Sequence, residues 1–94
     1  LIGMFTSVVE RILIEVSGNL LVGKSALNSS AAGVEARENG LLVVTRASGQ
    51  PLLVDRLTDD GDLVLFRKNS AVVGSISTIA GDLNIATRDT GLYF

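Results

Sequence analysis

Eight consecutive residues, Gly18-Asn19-Leu20-Leu21-Val22-Gly23-Lys24-Ser25, satisfy the spacing G-x-x-x-x-G-K-[ST]. In a phosphate-binding loop of that form, backbone N–H groups cradle the phosphates, the lysine reaches the terminal ones and the hydroxyl holds magnesium. Downstream, Leu52-Leu53-Val54-Asp55 has the apolar-run-then-acid form of a strand that would hold that magnesium. The chemistry would be nucleotide hydrolysis. Its context is missing. Leu20, Leu21 and Val22 occupy the variable positions, and three consecutive apolar residues favour a strand over an anion cradle. After Ser25 comes Ala26-Leu27-Asn28-Ser29-Ser30-Ala31-Ala32-Gly33, too short and turn-prone for the helix whose N-terminus must face the phosphates. Nor does the chain have room for several βαβ units. The match reads as a coincidence of spacing, and a P-loop nucleotide-binding protein is the remote alternative.

Other chemistry is thinner. Asp59, Asp60 and Asp62 flank Gly61 and could offer carboxylates to calcium, yet the remaining ligands of such a site are missing. A solvated turn is the better reading. No two acids form a recognisable glycosidase pair, and few aromatic rings are available to stack on a sugar. With no cysteine and no histidine, the chain contains no thiolate nucleophile, disulfide, zinc cage or Ser-His-Asp triad. No catalytic, metal-binding or cofactor-binding residue is assigned, and the expectation is a protein that is not an enzyme.

The elements that would position such residues are small. In 94 residues, hydrophobic side chains make up 47% and aromatics 4%, with a mean hydropathy of +0.45. That is more aliphatic mass than one small core hides, so something else should cover the rest. Charged or polar residues interrupt every apolar run well short of the roughly 20 residues a spanning helix needs, so membrane insertion is not expected. The net charge of −2, spread without a basic stripe, makes nucleic acid an unlikely partner. Neighbouring subunits remain. No basic n-region of a secretory signal opens the chain, and a start on Leu1 fits an internal stretch of a longer polypeptide.

Along the chain, Ile2, Phe5, Val9, Ile12, Leu13 and Val16 have helical spacing, while Ile12, Ile14 and Val16 also alternate as a strand would. Crowded β-branched residues favour a strand from about Ile12, ending at the turn Ser17-Gly18-Asn19; a short N-terminal helix stays open for the first dozen residues. Thereafter short strands of about five residues are expected at 19–23, 33–37, 41–45, 52–56, 63–67, 71–77, 83–87 and 92–94. Between them, Glu38-Asn39-Gly40 reads as a hairpin through the positive φ angles that Asn-Gly accepts. Residues 27–33, Ala47-Ser48-Gly49-Gln50-Pro51, Asp59-Asp60-Gly61, Lys68-Asn69-Ser70 and Arg88-Asp89-Thr90-Gly91 read as loops or turns. Turns every 8 to 12 residues mark an all-β fold. Phe66, Tyr93 and Phe94 are expected in a core, Arg67 and Lys68 on a solvated tip, and the glycines at 23, 40, 61, 74, 81 and 91 at turns.

Read in order, several of these segments resemble a recurring stretch of tailed-bacteriophage tail fibre proteins. They are Glu10-Arg11-Ile12-Leu13-Ile14 through Ser17-Gly18-Asn19 to Lys24, Asp59-Asp60-Gly61-Asp62-Leu63-Val64-Leu65-Phe66-Arg67-Lys68, and Val73-Gly74-Ser75-Ile76-Ser77. The close, Gly81-Asp82-Leu83-Asn84-Ile85 with Asp89-Thr90-Gly91-Leu92-Tyr93-Phe94, looks like the family's ending to this unit. The resemblance covers roughly residues 10–94. Where the family's hairpin carries Asp-Gly or a similar pair, this chain has Asn69-Ser70, which points to a longer turn or one of another type.

The resemblance implies an elongated, trimeric, intertwined β-structure of the β-prism or β-helix kind. Residues 1–11 would be an N-terminal docking or linking segment and 12–94 a β-rich fibre unit. The implied function is that of a structural virion protein on the tail or capsid surface. It would be a homotrimeric fibre segment, touching other virion proteins and helping carry host attachment through receptor-binding regions outside it. A capsid-decorating or head-fibre protein built from the same kind of unit is the alternative.

Overall fold

In a computed structural model, the structure describes residues 11–87 and 91–93. The described residues form two four-stranded antiparallel sheets and no helix. The chain divides into two compact units, Leu1–Leu53 and Val54–Phe94, each containing one sheet. The N-terminal helix option, the docking segment up to residue 10, the turn residues Arg88 to Thr90 and the packing of Tyr93 and Phe94 lie outside the description.

The first sheet runs in chain order, β1 (Ile12–Ile14), β2 (Leu20–Val22), β3 (Gly33–Ala36) and β4 (Leu42–Thr45). Two of its hairpins share one design. Glu15 N–H donates to Asn19 O and Gly18 N–H to Glu15 O around the β1–β2 turn; Arg37 N–H donates to Leu41 O and Gly40 N–H to Arg37 O around the β3–β4 turn. Each is a three-residue loop with glycine in the last position at positive φ, 103° at Gly18 and 95° at Gly40. The Asn39-Gly40 pair therefore works differently from the two-residue turn its sequence suggests. Only Gly40 is left-handed, and Asn39 instead accepts the Leu41 N–H on its side-chain oxygen at 3.1 Å.

Strand pleating sends alternate residues to opposite faces, so the register defines two surfaces. On one, Leu13, Leu21, Glu35 and Val43 lie across the sheet. On the other are two rows with no polar member, Ile12–Val22–Val34–Val44 and Ile14–Leu20–Ala36–Leu42. Leu21 is the only buried hydrophobic residue among the described ones.

The second sheet consists of β5 (Asp62–Lys68), β6 (Ala71–Ile79), β7 (Asp82–Thr87) and β8 (Gly91–Tyr93), again in chain order. Its two inner hairpins are two-residue turns with both φ angles positive: Asn69 (50°) and Ser70 (69°), then Ala80 (53°) and Gly81 (84°). That is the type I′ geometry whose twist matches the flanking strands. The Asn69-Ser70 turn is thus as short as a hairpin loop gets, not longer, with serine in the left-handed region. One face of this sheet carries the row Val64–Ile76–Ile85, with Leu92 at the next register position, and Phe66 and Leu83 on neighbouring rows. The opposite face holds buried Ser77 and Asn84, where Asn84 Nδ2 donates to Ser77 Oγ at 3.2 Å, together with exposed Leu65 and Ile79.

Three expectations change. Residues 52–56 form no strand: Leu52, Leu53 and Val54 are exposed, and no neighbouring strand takes up their backbone donors and acceptors. Apolar, β-prone composition does not make a strand where no edge is available to pair with. Phe66 is half exposed rather than core. Gly74 lies inside β6 rather than at a turn, and a Cβ there would come within 2.7 Å of the Ala86 carbonyl oxygen, so the close strand approach requires glycine.

Candidate functional site

The eight residues that match a phosphate-binding loop form the β1–β2 turn, strand β2 and the start of the following loop. Gly18 closes the turn. Asn19, buried, ties two turns together: its Oδ1 accepts the Glu38 N–H at 2.8 Å, and its Nδ2 donates to Glu15 Oε1 at 2.9 Å and to Ser17 Oγ at 3.3 Å. Leu20 to Val22 are β2, as three consecutive apolar residues imply. Gly23 N–H pairs with Arg11 O at 2.8 Å, and Ser25 is exposed. No helix follows; residues 24–32 form a loop that returns to β3.

Lys24 belongs to a cluster centred on Glu35. Its ammonium donates to Asn28 O at 2.6 Å, to Ala31 O at 3.1 Å and to Glu35 Oε2, so the group's three N–H bonds all have acceptors. Its side chain is 5% exposed and that of Glu35 is wholly buried. Glu35 Oε2 also accepts the Asn28 N–H at 2.8 Å, while Oε1 receives Arg37 through Nε and Nη2, both at 2.7 Å. One carboxylate is thus held by two cations and a backbone amide, with a bidentate fork on one oxygen. The loop is pinned at further points by Ser30 N–H to Asn28 Oδ1 at 2.9 Å and Thr45 Oγ1 to Ser29 O at 2.9 Å.

These contacts hold the Glu35 carboxyl well below its ordinary 4.5, at about 2. The hydrogen bond from Lys24 is the largest cause, followed by the Asn28 N–H; burial opposes both, and the bond and charge of Arg37 add to the lowering. A carboxylate this acidic and this saturated has neither a free lone pair for a metal nor a useful affinity for a proton near neutrality. Gly33 makes room for the cluster: a Cβ there would lie 2.7 Å from Val22 O and 2.8 Å from Lys24 Cδ, and the φ of 135° already disfavours a side chain. A phosphate would have to displace Glu35 and two carbonyls to reach Lys24.

The acidic turn is separate chemistry. Arg56 Nε donates to Asp59 Oδ1 at 2.9 Å and its Nη1 to Asp62 O at 3.2 Å, an exposed pair of small energetic value. No group of three acids that could hold a metal occurs among the described residues. Asp55, the candidate magnesium ligand, is exposed on the irregular segment 52–61.

Sequence reasoning missed Glu35. It alternates with Val34 and Ala36, and a charged residue at such a strand position is by default solvated. The loop that covers it is a non-local event, visible in the sequence only as an unassigned Lys24 and a run of small residues. No family model matches the chain, and no curated protein and no solved structure matches it either.

Proposed function

We propose that this chain is a structural, non-catalytic segment of a bacteriophage tail fibre that self-associates as a homotrimer on the virion surface and helps carry host attachment. The observation that carries the reading is an aliphatic sheet face left exposed. In the first unit the covered side buries Leu21 beside Glu35 and Lys24, while on the other side Ile12, Ile14, Leu20, Val22 and Leu42 stand exposed. A lone soluble unit of this size keeps such side chains inside. A fibre whose chains share an apolar axis covers them, and it does so without a catalytic site. The order of the Ser17-Gly18-Asn19, Asp59 to Lys68 and Gly81 to Ile85 segments, which resembles tail fibre sequences, supplies the virion context. An intertwined β-prism or β-helix is the arrangement this reading favours.

Two measurements test it. Light scattering on the purified chain at micromolar concentration is expected to return three times the 9.8 kDa chain mass, and a well-folded monomer overturns self-association. Gold-labelled antibody against the chain should decorate the tails of intact virions. Label on the head would move the assignment to a capsid-decorating protein, and absence from virions would sink both.

A further inference from the structure

We infer that the apolar face of β1–β4 is the surface through which copies of this chain pack, with the Glu35 face turned away from the contact. The inference rests on the self-association reading above and names the surface that performs it. Three observations select this face. First, the opposite face is already closed by the chain's own loop 24–32, fastened through Lys24 and Thr45. A partner is not needed there. Second, the two rows Ile12–Val22–Val34–Val44 and Ile14–Leu20–Ala36–Leu42 contain no polar side chain, so nothing on them calls for water or for a charged partner. Aliphatic side chains of this kind, brought by three copies to one shared axis, fill the space between sheets, which pack about 10 Å apart through such side chains.

The third observation is area. The five large residues Ile12, Ile14, Leu20, Val22 and Leu42 are each 39–66% exposed. At about 200 Å² for a large apolar residue, they leave roughly 500 Å² of aliphatic surface, at the upper end of what a monomer shows. Three copies meeting on one axis would together bury roughly 1,500 Å² through this face, above the roughly 1,000 Å² that a specific interface needs. Another copy of this chain carries the same apolar face, so contact between copies is the cover this surface fits.

The absence of cysteine makes the test clean, because a single introduced thiol reports one position. Full-length chains with Leu42→Cys or Leu20→Cys, labelled with pyrene, are expected to show excimer emission at micromolar concentration. Ser48→Cys, in the exposed turn after β4, is expected to show none. In parallel, Ile14→Glu/Leu42→Glu is expected to weaken association by roughly 100-fold or more, since it places two carboxylates in a dry contact. Leu57→Glu, equally exposed but outside the strands, should leave the mass unchanged. If the double variant fails to fold, the excimer measurement still decides. An oligomer with no excimer at Leu42 or Leu20 overturns the assignment of the face while leaving self-association intact. A folded monomer overturns both.

Discussion

Acid should single out Glu35. Its folded-state pKa of about 2 lies below the 4.5 of an ordinary glutamate, so between those values the unfolded chain binds a proton that the folded chain does not. The stabilisation from this group is fully present above pH 4.5 and is lost as pH falls towards 2. One proton of linkage changes the folding constant by up to about tenfold per pH unit. Other carboxylates titrate in the same window, so wild type alone is uninformative. Glu35→Gln retains them all and removes only this one. The variant is expected to be less stable at pH 7, because an amide presents its own N–H groups to Lys24 or Arg37. The wild-type to variant ratio of folding constants should then shrink steadily from pH 4.5 towards 2. Urea unfolding followed by far-UV circular dichroism, at one fixed chain concentration and at pH 7, 5, 4, 3 and 2.5, measures it. A ratio independent of pH would mean that Glu35 titrates alike in both states, and the cluster around Lys24 would not exist in solution.

Further predictions follow from single contacts. Leu21→Ala removes three buried carbons, about 2.4 kcal/mol by transfer and about 3 kcal/mol or more with the cavity; at about 0.05–0.15 kcal/mol per residue the unit Leu1–Leu53 has about 3–8 kcal/mol in all, so β1–β4 should lose much of its hydrogen-exchange protection. Ser70→Gly and Ala80→Gly each release a non-glycine residue from positive φ and should each raise the stability of β5–β8 by about 1 kcal/mol in urea melts. Lys24→Ala should lower the unfolding midpoint of the first unit, while millimolar Mg-ATP gives the wild type no thermal protection; protection lost in the variant would reinstate the phosphate-loop reading.

Strands were legible where local pattern and local turn chemistry agreed. Seven of the eight expected after residue 18 begin or end within two residues of a real one, because each is bounded by glycine, asparagine or a polar pair. The failures were non-local. Residues 52–56 are as aliphatic as β2 but have no edge to pair with, a fact that no window of sequence contains. A turn at Gly81 was expected, but its two-residue form with Ala80 was not, because alanine is a poor left-handed residue; the ladder from Ile79↔Asp82 to Gly74↔Thr87 holds it there. The P-loop pattern was legible as misplaced from its three apolar middle positions, yet the true role of Lys24 needed the loop to close over Glu35.

Sequence alternation says which residues share a face, but not which face is covered. In β3 and the residue after it, Val34 and Ala36 alternate with Glu35 and Arg37, and the default reading turns the aliphatic pair inward. The structure reverses this: Glu35 is wholly buried while the strands beside it display Leu20, Val22 and Leu42. A buried ion pair is weak evidence of stability, because desolvating the charges offsets much of their attraction. Its clearer consequence is geometric. Lys24 and the Asn28 N–H, both donating to Glu35, fix the loop on one side of the sheet, and the aliphatic side stays exposed. On the self-association proposed above, the ionic cluster selects the face and the aliphatic rows supply the association energy.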